Sequence, residues 1–233
     1  MVTLTARPEP IDIDPQRTSI IVVDMQNAFA ATGGMFDLAG FDISRSAELL
    51  AAHQRLLPAC REAGVKVIYL AISFKPDLSD AGAPDTPTYH KELVLRMMRG
   101  RPELAGKLLI DGTWDAAIID ELKPQPGDRV IRKTRYSGFV RTELEDELRA
   151  ANVRHLLFTG VATNVCVEST ARDAFFKDFW PVMIEDAMSN SGPAFNQQAT
   201  LWNFEHVLGW VTNSDNVIAA LANARQAVGM AAE

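Results

Sequence analysis

The chain is poor in cysteine, with only Cys60 and Cys166 among 233 residues and no CxxC pair between them. That excludes a disulfide framework and a cysteine zinc site, and it leaves two reduced thiols to explain as buried or reactive groups. No apolar run approaches the ~18 residues that cross a bilayer. The opening MVTLTARPEP has no apolar leader core, so a soluble, cytoplasmic protein with no membrane partner is expected. Basic residues are also in deficit: Lys plus Arg is 23 against 30 for Asp plus Glu, a net charge of −7. Nucleic acid is therefore not an expected partner. The four histidines, His53, His90, His155 and His206, form no HxH, HExxH or DxH, so no metal is expected. GxGxxG, GxxxxGK[ST] and GxSxG are all missing, so no nucleotide cofactor and no serine nucleophile elbow are expected.

What is present is a hydrophobic fraction of 47%, enough to build the core of one domain. Short β-branched runs lie at 18–24, 65–70, 129–132, 155–160, 180–185 and 207–212. Strands that are apolar on both faces suit a parallel sheet covered on both sides. Helical patterns lie between them, at 44–63 with Gly64 as its stop, at 140–151 and at 164–177. Pro58 is expected to bend or interrupt the first of these. The alternation predicts a three-layer αβα fold around an open, doubly wound, mainly parallel six-stranded sheet. Residues 71–115 are too long for a simple crossover, and this single-domain reading treats them as an insertion or lid.

In such sheets chemistry collects beyond the carboxyl ends of the strands. Three reactive residues fall there: Asp24 after the first run, Lys133 after the third, and Cys166 just past the fourth. Thr163 and Asn164 read as N-caps, which would place Cys166 in the positive end of a helix dipole and favour thiolate. Free N–H groups of the same turn could hold an oxyanion. Each residue also has a plain structural reading, as a turn carboxylate, a surface lysine and a small buried hydrophobe. Their joint placement favours chemistry, whereas Cys60, mid-helix on an apolar face, keeps the structural reading. His155 precedes Cys166 by a strand's length, so a cysteine–histidine pair is not expected.

VVDMQNAF around Asp24, RKTRYSGF around Lys133 and GVATNVCVEST around Cys166 resemble the isochorismatase-like cysteine hydrolases. The match runs in order over most of the chain. PQPGD, RHLLFTG and LTARPEPI are similar to the ureidoacrylate amidohydrolases within that superfamily. The resemblance implies Cys166 as nucleophile, Asp24 as proton acceptor and donor, and Lys133 as third member of a triad. It further implies a cis peptide between Val161 and Ala162, with the Ala162 and Cys166 N–H groups as oxyanion donors. It also implies a homo-oligomer, dimer or tetramer, for which Trp180, Phe195, Trp202, Phe204 and Trp210 offer aromatic surface.

The segment Ala71-Ile72-Ser73-Phe74 lacks the metal-binding DxH of nicotinamidases. It is also apolar where ureidoacrylate enzymes commonly carry a Gln-Asn-Gly-Trp-like stretch, and Phe29 and Met35 stand where tyrosines are expected. The catalytic set is thus complete while the specificity shell differs. Phe29, Met35, Ile72, Phe74, Arg135, Tyr136 and Glu205 are the substrate-binding candidates. Arg135 and Tyr136 could hold a carboxylate or carbonyl, and Glu205 could accept N–H bonds from a urea-type amide. The expected activity is metal-independent cleavage of a C–N amide bond in a small ureido compound, with ureidoacrylate giving aminoacrylate and carbamate. Biuret, triuret or another linear amide is the alternative, and a catalytically silent binding protein is the alternative of another class.

Overall fold

The computed structural model describes the backbone of residues 1–231 and the side chains of residues 1–224. Two short strands, β1 (Val2–Leu4) and β2 (Ile11–Ile13), pair antiparallel ahead of the main sheet. The main sheet holds β3 (Thr18–Val23), β4 (Lys66–Ile72), β5 (Arg129–Lys133), β6 (His155–Val161), β7 (Trp180–Ser189) and β8 (Trp210–Thr212). Their order is β5-β4-β3-β6-β7-β8, and every pairing is parallel. The sheet is wholly parallel, where the sequence predicted mainly parallel.

All six residues of β3 are buried. Ile20 and Val22 face one core and Ile21 and Val23 the other, as alternation along a strand requires. α3 (Ser46–Glu62) covers the first face with Leu49, Leu56 and Leu57, beside α9 (Ser214–Ala231) with Val217 and Leu221. α6 (Leu144–Ala150) and α7 (Glu168–Phe176) cover the second with Leu144, Leu148, Ala171 and Ala174. At the edge, β5 leaves Val130 exposed, so the expectation of burial on both faces fails there.

Other expectations change in detail. α3 runs through Pro58, which sits on its solvent side where water can satisfy the carbonyl that loses its partner. The run at 207–212 divides: Phe204–Leu208 form a wide π-helical turn and only Trp210–Thr212 are strand. Gly209 joins them because a Cβ there would lie 2.3 Å from the Pro181 carbonyl oxygen. The antiparallel β1–β2 pair has no counterpart in the sequence reading. Residues 1–13 reach the far edge of the sheet, where Arg7 N–H donates to Val211 O at 2.8 Å and Val211 N–H returns to Arg7 O at 3.0 Å.

Two one-turn helices, α1 (Asn27–Ala30) and α2 (Met35–Leu38), follow β3. The long segment after β4 forms α4 (Pro87–Lys91) and α5 (Leu93–Gly100) and buries Val94, Leu95, Met97 and Met98. The last helix before α9, α8 (Phe195–Asn203), was not anticipated in the sequence.

Candidate active site

Parallel strands bring their carboxyl ends to one side, so residues just past β3, β5 and β6 converge whatever their separation in sequence. Asp24 leaves β3 in the left-handed region, with φ 49°, and its N–H still donates to Leu70 O at 2.8 Å. Aspartate tolerates that conformation better than most residues. The neighbouring strand must be bare here: a Cβ on Gly160 would lie 2.0 Å from Val23 O. Lys133 ends β5, and its Nζ donates to Asp24 Oδ2 at 2.8 Å and to Arg135 O at 3.3 Å. The other Asp24 oxygen accepts the Ile72 N–H at 3.0 Å. Cys166, buried beside this pair, completes the cluster and interacts electrostatically with both charges.

Cys166 lies in a π-helical turn, Thr163–Val167, that precedes α7. The expected capping does not occur. Thr163 Oγ1 is 3.4 Å from Gln197 Oε1, and the Asn164 side chain binds the Ser191 backbone, donating to its carbonyl at 3.1 Å and accepting from its N–H at 2.9 Å. Burial works against the expected thiolate. Burial pushes the Cys166 thiol well above its ordinary value; Lys133 opposes this and Asp24 adds to it. Burial likewise raises the Asp24 carboxyl against the pull of Lys133. For Lys133 burial works against the ammonium, but Asp24 and then Cys166 outweigh it and the net direction is up. Asp24 and Lys133 thus form a buried ion pair beside the Cys166 thiol.

The Val161–Ala162 peptide bond is cis. Among the described residues, the Ala162 N–H has no backbone acceptor, so it is free to donate to a ligand. The nucleophile's turn is tied to the segment after Lys133 through Thr170. Its hydroxyl donates to Cys166 O at 2.7 Å and accepts from Gly138 N–H at 3.0 Å.

A cavity of about 170 Å³ opens over Cys166. Phe29, Met35, Ile72 and Tyr136, four of the substrate-binding candidates, line it together with Ala162. The other three lie elsewhere. Phe74 is fully buried in the core and pairs with the strand-like residue Ile110. Arg135 spends its guanidinium on the carbonyls of Asp80 and Thr134. Glu205 is ion-paired to Arg7 at 3.0 Å, because the π-helical turn carrying it faces the N-terminal segment.

Sequence reasoning missed Glu92, a buried carboxyl in the cavity wall where α4 meets α5. The only signal was an acidic residue heading the basic amphipathic stretch ELVLRMMR. It also missed two positioning groups. Gln26 clamps Ile72 by accepting its N–H and donating to its carbonyl, both at 3.0 Å. Buried Asp115 accepts from Met35 N–H at 3.0 Å and from Leu109 N–H at 2.8 Å.

A six-stranded parallel sheet with a cysteine, an aspartate and a lysine gathered past its strand ends defines a recognisable class. The chain belongs to the isochorismatase family: the model of the isochorismatase domain matches residues 18–216. Among its relatives is the ureidoacrylate amidohydrolase RutB of Rhizobium rhizogenes, 52% identical over 96% of this chain and 91% of that protein. The RutB of Agrobacterium fabrum is 51% identical over 96% of this chain and 98% of that protein. A solved cysteine hydrolase from Pseudomonas syringae pv. phaseolicola superposes with a TM-score of 0.77. It is 31% identical and covers 91% of this chain and 95% of that one.

Proposed function

We propose that the chain is a cysteine amidohydrolase that cleaves the C–N bond of ureidoacrylate. The observation that carries the chemistry is the buried Asp24–Lys133–Cys166 cluster opening onto a mostly apolar cavity. The substrate rests on the ureidoacrylate amidohydrolases that share about half of its residues.

Asp24 takes the thiol proton as Cys166 Sγ attacks the ureido carbonyl carbon. The new oxyanion is held by the Ala162 and Cys166 N–H groups, worth about 3 kcal/mol or more. Collapse breaks the bond to the acrylate nitrogen, which leaves as aminoacrylate after taking the proton from Asp24. The carbamoyl group stays on Sγ. Asp24 then deprotonates a water that attacks this thioester, releasing carbamate and returning the thiol. Lys133 keeps Asp24 ionised between these steps and screens the negative charge that forms beside it. No step needs a metal. A free thiol suits a reduced, cytoplasmic setting. Residues 71–115 act as the wall and lid of the site, since they supply Ile72, Glu92 and Leu93 to the cavity. The exposed Phe195, Trp202 and Val207 are the surface we assign to a homo-oligomer.

The apolar lining by Phe29, Met35 and Ile72 favours a second reading, a different small linear amide such as biuret or triuret. Ammonia release over a panel of ureidoacrylate, biuret, triuret and aliphatic amides decides between them, with Cys166→Ala as blank. Thiol-dependent turnover of ureidoacrylate with the highest kcat/KM is expected. Turnover of another amide with ureidoacrylate inert overturns the first reading, and silence across the panel leaves a binding protein.

A further inference from the structure

The cavity over Cys166 contains one carboxyl group that the reaction does not use. Glu92 is only 5% exposed and stands among the aromatic and aliphatic side chains of the lining. Tyr136 and Leu93 stand in the same cavity wall. A carboxylate offers about four acceptor sites, so Glu92 has acceptor capacity for donors that a ligand brings. Among the described residues no lysine or arginine forms an ion pair with it; the nearby Lys133 is committed to Asp24 at 2.8 Å. Burial raises the Glu92 carboxyl above the ordinary value, with Tyr136 pulling the other way.

A buried acceptor facing an apolar cavity is costly unless a ligand brings donors. Glu92 and Cys166 line the same cavity of about 170 Å³, so a small ligand that meets one also meets the other. The ligand's donors must therefore lie beside its scissile carbonyl. A ureido group has that shape, because its terminal NH2 is bonded to the carbon that Cys166 attacks.

We propose that Glu92, beside Tyr136 in the cavity wall, is the specificity determinant that selects the carbamoyl end of the substrate by accepting hydrogen bonds from an unsubstituted –CO–NH2. The inference rests on the amidohydrolase reading of the site. It makes the enzyme discriminate R–NH–CO–NH2 from the isosteric R–NH–CO–CH3, whose methyl group leaves Glu92 unsatisfied. The same contact persists after the first half of the reaction, since the carbamoyl NH2 remains on the Cys166 thioester.

The test compares kcat/KM for ureidoacrylate and for 3-acetamidoacrylate. The wild-type chain is expected to prefer the ureido compound by on the order of 100-fold or more, because a site built around a buried polar group rejects an analogue lacking its partner. Glu92→Leu lowers the ureido value, leaves the acetamido value unchanged or higher, and brings the ratio within about tenfold. Glu92→Gln preserves size and one acceptor oxygen, so its ratio falls between the two. It also keeps the comparison available should the leucine variant fold poorly. An equal fall for both compounds identifies a merely structural residue and overturns the proposal, as does a ratio that Glu92 variants leave unchanged. A wild-type chain that cleaves both compounds equally well removes the role of Glu92 but leaves the amidohydrolase standing. A wild-type chain that cleaves neither removes both.

Discussion

Lys133 Nζ donates to Asp24 Oδ2 at 2.8 Å with neither side chain exposed to solvent, so each charge has the other as its only ion-pair partner among the described residues. Truncating either one strands a buried charge. Lys133→Ala is expected to cost about 3–5 kcal/mol of stability as well as activity. In a chain of this size that is a fall in Tm of roughly 6–20 °C. Calorimetry of the two purified proteins checks it. A variant that melts within about 2 °C of wild type removes the argument from the buried pair. Cys166→Ala removes no charge and should lose turnover with little change in melting.

Burial pushes the Cys166 thiol well above its ordinary value, and Lys133 opposes this. The thiol's reaction with iodoacetamide should therefore depend on Asp24 as base rather than on a thiolate formed in advance. Asp24→Asn is expected to slow alkylation of Cys166 at pH 7.5 by on the order of 10²-fold, the usual contribution of a positioned base. Mass spectrometry of the labelled thiol follows the rate. If Asp24→Asn is labelled as fast as wild type, Cys166 is a thiolate without help, and the arrangement drawn here for the free enzyme is wrong.

His53 gives the fold an acid-sensitive point far from the chemistry. Burial lowers its pKa from 6.5 to about 4, with the Leu49 carbonyl, which faces Nδ1 at 2.8 Å, opposing the shift. Between those two values the unfolded chain binds a proton that the folded chain refuses. Stability therefore falls as the pH drops through that window, by up to about 3 kcal/mol from this residue. His53→Leu should flatten the loss when urea unfolding is compared at pH 6.5 and pH 4.5. An unchanged slope would show that His53 titrates normally in the folded protein.

The sheet and the convergence of its three reactive residues were legible because both follow from short-range pattern. Apolar β-branched runs mark buried parallel strands, and parallel order alone places Asp24, Lys133 and Cys166 on one side. The surroundings were less legible. Glu205 and Glu92 are the same residue type, and the sequence offered no reason to prefer the second. Its position depends on how α4 and α5 fold back over the strand ends, which is a tertiary outcome. Phe74 and Ile72 are two residues apart, yet one faces the core and the other the cavity. Only the course of the chain beyond β4 separates them. The π-helical turn under Cys166 carries no periodic signature either, and it displaced the capping predicted for Thr163 and Asn164.

The pairing of Arg7 with Val211 has a consequence for solubility. β8 is the outermost strand on its side of the sheet, and an open strand edge is a template onto which another polypeptide can add. By returning both hydrogen bonds of Val211, Arg7 occupies that template from within the same molecule. Pro8, which has no N–H to offer, follows directly, and the added strand ends after a single bridge. The first dozen residues thus act as a built-in terminator of sheet growth, guarding the molecule against its own kind.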